Sequence, residues 1–284
     1  MAETGLISIV IPVYNEEASI RGVIEETQKT MVKMKKDYEI LVVDDGSTDS
    51  SASIAREAGA KVIGHPKNLG YGATLKTGFR NCRGDIVVFF DADGSYPVEE
   101  IPRLLEQLGA FDMVVMARIR PLSFRKLGTR LLAVLASYIV GKRVSDPNSG
   151  MRALRRDMVK SFESLTDGFS FSTSMTLQCM TSGLRVLEIP LQYRDRHGKS
   201  KLNPLIDGVK FLNLSLRLCV DFAPLKVFMP IGILSFVAGT LSTIRNLILF
   251  SDVTDINLLL VLFGVQIILF GLLADLVIRR MRAR

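Results

Sequence analysis

Two long apolar segments near the carboxyl end constrain the architecture of this chain more than any other feature. They cover about residues 225–244 and 257–278, and each has the ~20 residues that an α-helix needs to cross a bilayer. Arg245 and Asp275 lie near their ends, where charge is tolerated. Residues 223–284 are therefore predicted to form a transmembrane hairpin with a basic carboxyl-terminal tail. A buried helical hairpin is the alternative, but two successive runs of this length are rare in a soluble core.

The positions of the charged residues indicate which class of partner the chain binds. The chain carries a formal net charge of +7, and cations cluster in residues 194–201 and 279–284, on both sides of the apolar tail. This placement favours a lipid bilayer and phosphorylated ligands over nucleic acid. The connection between the apolar segments holds two aspartates and no cation. The positive-inside bias then predicts a multi-pass membrane protein whose amino-terminal domain and carboxyl terminus are cytoplasmic. No signal peptide is expected over Met1–Leu6.

The first two thirds of the chain alternate short apolar runs with segments of helical periodicity. The runs predicted to be strands are Leu6–Val13, Tyr38–Asp44, Ala60–Ile63, Asp85–Asp91 and Asp112–Ala117. This order is typical of a parallel sheet covered by helices on both faces. Residues 1–202 are therefore predicted to form one α/β domain. Because ligands bind beyond the carboxyl ends of strands in open sheets, the site is expected in the loops after Val13, Val43 and Phe90.

Two further segments are amphipathic. The first places apolar side chains on one helical stripe: Phe124, Leu127, Leu131, Leu135 and Tyr138. The second covers residues 203–222 and has Pro204 at the first helical position. Each helix either lies in the membrane interface or packs against the sheet. The interface is favoured for residues 203–222, because that segment leads directly into the apolar tail.

A pair of aspartates, Asp91 and Asp93, follows a strand that is predicted to be buried. Carboxylates two residues apart in a turn can both face Mg²⁺ or Mn²⁺, which takes oxygen ligands and completes its shell with substrate phosphates. Such pairs also occur in ordinary turns. Here the strands ending in IPVYNEE and VVDDGSTD bring further polar residues to the same edge of the sheet. A base pocket walled by Pro12 and Tyr14 is expected there, with carboxylates that accept hydrogen bonds from base or ribose.

The order of these and other motifs identifies a family resemblance. IPVYNEE, VVDDGSTD, NLGYGATLKTGF, DADGSYP, DPNSGMRALRRD and HGKSKLN resemble the motifs of family 2 glycosyltransferases of the GT-A fold, a Rossmann-like nucleotide-sugar-binding domain. Within that family the chain is most similar to dolichyl-phosphate mannose or glucose synthases and their bacterial polyprenyl-phosphate counterparts. The resemblance covers about residues 6–202. It implies inverting transfer of a single hexose, from GDP-mannose or a UDP-glucose or UDP-GlcNAc type donor, to dolichyl or undecaprenyl phosphate.

The resemblance also implies roles for individual residues. The nucleotide would be contacted by Pro12, Tyr14, Glu16, Val43, Asp45, Asp91 and Ala92. Asp91 and Asp93 would hold the metal, and Asp93 and Arg118 would be catalytic. Beside the residues that the resemblance implies, Asp146 is a further candidate catalytic carboxylate, expected near the acceptor. Phosphates or the acceptor would be bound by Arg118, Arg194, Arg196 and Lys201. Two positions depart from the pattern: Ser95 stands where the mannose synthases have a glutamine near the metal, and Arg194 and Arg196 compete for one role. Asp146 is equally well explained as a turn aspartate before a proline.

The absence of tryptophan excludes the QxxRW motif of processive family 2 polymerases. A lipid phosphate is largely ionised near neutral pH, so its transfer needs no general base, whereas a hydroxyl acceptor requires one. Transfer to a glycolipid hydroxyl is the alternative reaction, and a non-catalytic membrane scaffold is the alternative class of function. His65 precedes a proline in a predicted loop and is expected at the surface. The sugar, the base, the lipid length and the oligomeric state are left open.

Overall fold

The computed structural model describes residues 5–119, 127–168, 170–194, 204–250 and 254–282. The chain divides into two compact units, residues 1–203 and residues 204–284. The first unit contains a β-sheet with helices packed on both faces, and the second contains the helices of the apolar tail.

The sheet of the first unit is mixed rather than fully parallel. Its strands are β1 (Ile7–Val13), β2 (Tyr38–Asp44), β3 (Lys61–Gly64), β4 (Ile86–Phe89), β5 (Met113–Arg118), β6 (Arg152–Arg155) and β7 (Val186–Leu191), in the order β3-β2-β1-β4-β6-β5-β7. β1 pairs in parallel with β2 and β4, but β6 is antiparallel to both β4 and β5. The five predicted strands are present, and the expectation of a parallel sheet is wrong at β6. The run RALR that forms β6 has no apolar pattern, since two of its four residues are arginines.

Helices connect the strands and cover the sheet. Those of the first unit are α1 (Ile20–Met34), α2 (Ser51–Glu57), α3 (Tyr71–Asn81), α4 (Ile101–Gln107), α5 (Leu127–Val140) and α6 (Phe171–Thr181). Alternate residues of β1 enter different cores, as the two-residue period of a strand requires. Ile9 and Ile11 pack in the cluster that includes residues of α1 and α4, while Val10 packs in the cluster that includes residues of α3 and α6. Both faces of the sheet are therefore covered, as predicted.

Helix α5 has one buried face and one exposed apolar face. Leu132, Ala136 and Ile139 are buried. Leu131 is 48% exposed and Tyr138 is 51% exposed, and both belong to the stripe predicted from the sequence. These two side chains are therefore not buried against the sheet, and contact of the helix with the membrane interface stays a prediction. Phe124, the first residue of the stripe, lies outside the described residues.

The second unit consists of α7 (Pro204–Phe222), α8 (Pro224–Phe250) and α9 (Asp255–Arg282). α8 and α9 are each long and apolar enough to cross a membrane. They pack against each other at glycines, where the absence of a side chain lets the backbones approach. A Cβ on Gly264 would lie 2.6 Å from the backbone nitrogen of Phe236, and one on Gly239 would lie 2.8 Å from the nitrogen of Val261. Most large apolar side chains of both helices are exposed.

Candidate active site

A cavity of about 380 Å³ lies at the carboxyl ends of the central strands of the first unit. Sequence reasoning placed the site at this edge. Eight of the residues assigned from the family resemblance line the cavity: Pro12, Tyr14, Glu16, Asp45, Asp91, Ala92, Asp93 and Arg118. Parallel pairing explains part of this convergence, because Pro12 is opposite Val43 and Val13 is opposite Asp44 in the register of β1 and β2.

The loop after β1 is fixed by hydrogen bonds to the loop after β2. Asn15 has a left-handed backbone conformation with φ of 56°, and its side-chain Oδ1 accepts the Thr48 N–H at 2.8 Å. The Ser51 hydroxyl oxygen accepts the Glu16 N–H, also at 2.8 Å. Tyr14 precedes this turn and is 46% exposed. The two loops therefore hold an accessible aromatic ring at the cavity, where it can stack on a planar base.

The Asp45 carboxylate is held by three hydrogen-bond partners, which follow β3 in the chain. Its Oδ1 accepts from the Leu69 N–H at 2.9 Å and its Oδ2 from the Gly70 N–H at 2.9 Å. His65 Nδ1 lies 2.8 Å from Asp45 Oδ1, and only 8% of the His65 side chain is exposed. The prediction that His65 is a surface residue is therefore wrong. The chain after β3 continues beside the end of β2, where the His65 N–H donates to the Asp44 carbonyl at 2.8 Å.

Asp91 and Asp93 both line the cavity, and their surroundings fit a divalent cation. Asp93 Oδ1 accepts hydrogen bonds from the backbone N–H and the hydroxyl of Ser95, so Ser95 supports Asp93. Gly150 leaves the space that the Asp91 carboxylate occupies, since a Cβ there would lie 2.5 Å from Asp91 Oδ2. Among the described residues, no cluster of three or more His, Cys, Asp or Glu side chains could hold a metal ion. Two carboxylates suit Mg²⁺ or Mn²⁺ that takes its remaining ligands from phosphate and water.

Arg118 and Asp146 form a buried, bidentate ion pair. Arg118 Nε is 2.6 Å from Asp146 Oδ2, Arg118 Nη2 is 2.8 Å from Oδ1, and the two side chains are 10% and 7% exposed. Burial by itself lowers the pKa of the Arg118 guanidinium, but the Asp146 carboxylate outweighs this effect and the net pKa is raised. Arg118 reaches the cavity, whereas Asp146 does not line it. The geometry therefore makes Asp146 the partner that fixes Arg118.

The loop between residues 146 and 150 rests on a fully buried arginine. Arg152 Nε donates to the Ser149 carbonyl at 3.0 Å and Nη2 donates to the Pro147 carbonyl at 2.8 Å. Burial lowers the pKa of this guanidinium below its ordinary value. The Tyr96 hydroxyl oxygen accepts the Gly150 N–H at 2.6 Å. These contacts fix the conformation of the loop. The loop carries Asp146, and its Gly150 lies against the Asp91 carboxylate.

The remaining predicted residues lie elsewhere. Val43 is buried in β2 and does not line the cavity. Arg194 is also absent from the lining, and it pairs with Glu99 at 2.6 Å and with Glu26 at 3.5 Å. Arg196 and Lys201 lie outside the described residues, so their predicted phosphate or acceptor contacts stay predictions.

Several residues of the cavity were not singled out from the sequence: Asn68, Gly70, Tyr71, Thr74, Asn148, Gly150 and Ser172. The first four belong to the motif NLGYGATLKTGF, which contributed to the family resemblance without a role for any residue. Asn148 and Gly150 belong to the motif around Asp146. Tyr71 is notable because burial, together with the Asp91 carboxylate, raises the pKa of its phenol well above the ordinary value. Motif membership was the signal that could have identified most of this set.

Comparison with known structures supports the fold. Glucosyl-3-phosphoglycerate synthase from Mycobacterium tuberculosis in complex with uridine-diphosphate superposes with a TM-score of 0.62 and 27% identity, over 76% of this chain and 80% of that chain. The same enzyme with Mn²⁺, uridine-diphosphate-glucose and phosphoglyceric acid gives a TM-score of 0.60 and 26% identity, over 76% and 78% of the two chains.

Sequence comparison assigns both units. Undecaprenyl-phosphate 4-deoxy-4-formamido-L-arabinose transferase of Edwardsiella ictaluri is 33% identical over 95% of this chain and 87% of that protein. The protein of the same name from Pseudomonas fluorescens is 34% identical over 80% of this chain and 68% of that protein. Residues 223–279 match the GtrB C-terminal hairpin. Residues 8–162, more than half of the chain, match glycosyl transferase family 2, and the chain is therefore a glycosyltransferase that belongs to this family and has the GT-A fold.

Proposed function

We propose that this protein transfers one sugar from a nucleoside-diphosphate sugar to the phosphate of a polyprenyl lipid at the membrane surface. One observation carries the proposal. A single cavity combines the Asp91–Asp93 pair, the carboxylate of Asp45, the exposed ring of Tyr14 and the fixed guanidinium of Arg118. These are the groups needed for a base, a ribose, a metal-bound diphosphate and a second phosphate. The names of the undecaprenyl-phosphate transferases similar to this chain support the same acceptor.

The donor occupies the cavity from the base to the sugar. Tyr14 and Pro12 contact the base, and Asp45 and Glu16 accept hydrogen bonds from base or ribose. Asp91 and Asp93 are the residues that would hold Mg²⁺ or Mn²⁺ at the diphosphate. When bound, the cation neutralises the charge that develops on the departing nucleoside diphosphate. A UDP-sugar is the first choice of donor, because the similar solved structures contain uridine-diphosphate; GDP-mannose remains the second.

The reaction requires no general base, because the acceptor is already ionised. A lipid phosphate oxygen attacks the anomeric carbon, and a bond forms between them as the bond from that carbon to the diphosphate oxygen breaks. The electron pair leaves with the nucleoside diphosphate, and the configuration at the anomeric carbon is inverted. Arg118 is directed by Asp146 at the phosphates and stabilises their negative charge in the transition state.

The membrane supplies the acceptor. In this proposal residues 1–202 are the catalytic domain, residues 203–222 lie in the interface, and α8 and α9 span the bilayer in residues 223–284. The exposed apolar face of α5 supports contact with lipid, because a solvated helix seldom exposes neighbouring large apolar side chains. The basic segments beside the spans favour a cytoplasmic catalytic domain and carboxyl terminus.

The test is a matrix of UDP- and GDP-linked sugars against undecaprenyl and dolichyl phosphates, with the full chain purified in detergent. We expect a lipid product that is labile to mild acid and resistant to alkaline phosphatase. A product resistant to mild acid would favour the second candidate, transfer to a hydroxyl group. The phosphoglyceric acid bound to a similar structure favours that candidate. No turnover with any pair of substrates would overturn the proposed donor and acceptor.

A further inference from the structure

We propose that His65 is a positioning residue of the donor site, which holds the Asp45 carboxylate in the orientation that receives the nucleotide. The proposal rests on the proposed function, in which Asp45 contacts base or ribose. It concerns a histidine that does not line the cavity itself and that no step of the reaction uses.

The geometry is a chain of three hydrogen-bonded side chains, Asp45, His65 and Thr77. Asp45 Oδ1 lies 2.8 Å from His65 Nδ1, and His65 Nε2 lies 2.9 Å from Thr77 Oγ1. The side chains of His65 and Asp45 are only 8% and 5% exposed. Thr77 is on α3, His65 follows β3 and Asp45 follows β2, so the imidazole joins three elements around the cavity.

The partners determine which nitrogen carries a proton. An ionised carboxylate only accepts hydrogen bonds, so Nδ1 must donate to Asp45. In the neutral imidazole Nε2 is then an acceptor, and the Thr77 hydroxyl donates to it. Asp45 therefore selects the tautomer that has its proton on Nδ1, and the Thr77 hydroxyl donates to the other ring nitrogen. A histidine whose ring nitrogens are both assigned in this way is held in one orientation.

This orientation matters because the other donors to Asp45 come from a loop. The N–H groups of Leu69 and Gly70 belong to the segment before α3, and Gly70 lines the cavity. With His65 in place, the Asp45 carboxylate is held by the imidazole and also by the two backbone N–H groups of the loop. Without His65, Asp45 keeps only the loop donors and can rotate with that loop. The expected loss is in donor binding, and the chemical step at the diphosphate is expected to be unaffected.

The test compares three substitutions of His65 in the full chain. Asparagine places an amide N–H at the position of Nδ1, whereas glutamine places its amide one bond further out, towards Thr77. We expect His65→Asn to keep the UDP or GDP dissociation constant within about 3-fold, and His65→Ala and His65→Gln to raise it by ~10-fold, which is ~1.4 kcal/mol. The donor KM should rise in parallel, with kcat at saturating donor within about 3-fold of the unmodified enzyme.

Substitutions of Thr77 keep the proposal testable if the His65 variants do not fold. Thr77→Val removes the hydroxyl without a change of shape, and Thr77→Ser retains it. We expect Thr77→Val alone to raise the donor KM, by roughly 3-fold.

The outcomes separate the two proposals. If the unmodified protein binds neither nucleotide, the donor site of the proposed function fails, and the role of His65 fails with it. If the unmodified protein binds nucleotide and every His65 and Thr77 variant binds it equally well, only the role of His65 is overturned. Loss of thermal stability without a change in donor KM, or an asparagine variant as weak as the alanine variant, also overturns it.

Discussion

Replacing Asp146 with asparagine tests whether the buried pair with Arg118 organises the active site. The substitution keeps the size of the side chain and removes its charge. In the native pair, both carboxylate oxygens accept from the guanidinium, at 2.6 and 2.8 Å, and Oδ2 also accepts the Arg118 N–H at 3.1 Å. Asparagine can offer one oxygen to these donors, and its amide group then faces a guanidinium N–H.

The structure allows an estimate of the cost. A hydrogen bond to a charged group contributes ~1.5–3 kcal/mol, and breaking a buried ion pair by removal of one partner costs ~3–5 kcal/mol. The Arg118 contact with the Asn148 carbonyl, at 2.8 Å, remains and reduces the loss. We expect a decrease of ~3 kcal/mol in the free energy of unfolding, near the lower end of that range. For a domain of this size, the melting temperature should fall by roughly 6–12 °C.

Calorimetry and steady-state kinetics on the same preparations provide the assay. Turnover should fall by ~10²-fold or more, because the charge of Arg118 is no longer held at the phosphates. Glu57→Gln is the matched control, since it breaks the exposed pair with Arg21 and should cost less than ~1 kcal/mol. The double variant Arg118→Met with Asp146→Leu should recover stability and remain inactive. If Asp146→Asn matched Glu57→Gln in both melting temperature and turnover, the assigned role of the pair would be wrong.

Three further predictions concern the metal carboxylates and one titrating group. Asp93→Asn should leave the fold intact and reduce turnover at least ~10²-fold; full activity in EDTA would contradict the metal assignment. Gly150→Ala should displace the Asp91 carboxylate and weaken Mn²⁺ binding, whereas Gly109→Ala, with no atom within 4 Å of the new Cβ, should not. The Arg185 N–H, followed by the charges of Arg185 and Arg155, lowers the pKa of Asp112 below its ordinary value of 3.8. Its ionised form therefore stabilises the fold above that value, and the stabilisation is lost as pH falls through the lower folded value. The difference in melting temperature between Asp112→Asn and the unmodified protein should accordingly be largest near about pH 6 and shrink below about pH 4.

The parts of this fold that were predictable are those with a local signal. Apolar runs located the five predicted strands, and parallel pairing then placed the loops after Val13, Val43 and Phe90 at one edge. The Asp91–Asp93 pair and the Pro12–Tyr14 wall, which line one cavity, and the two apolar segments followed from residue type and spacing alone. In each case the physical cause lies within a few neighbouring residues of the chain.

The parts that were missed depend on contacts between distant residues. β6 contains Arg152, which is fully buried because it supports two carbonyl groups of the preceding loop; an arginine in a sequence indicates a surface. His65 was expected at the surface because it precedes a proline in a predicted loop, and its partners are 12 and 20 residues away. Arg194 is bound by glutamates that are 95 and 168 residues away. A buried or paired polar residue looks like a solvated one until the fold supplies its partners.

The glycine contacts between α8 and α9 divide the hairpin into positions with different freedom to change during evolution. At the seam only the smallest side chains fit, because a Cβ on Gly264 would lie 2.6 Å from the Phe236 nitrogen. Outward positions such as Leu234 and Ile248, which are 72% and 75% exposed, need only remain apolar. Substitutions should therefore accumulate first at the outward positions, while the spacing of the glycines between α8 and α9 is retained. That spacing would still mark a related hairpin after overall identity in the tail had fallen to the level of chance.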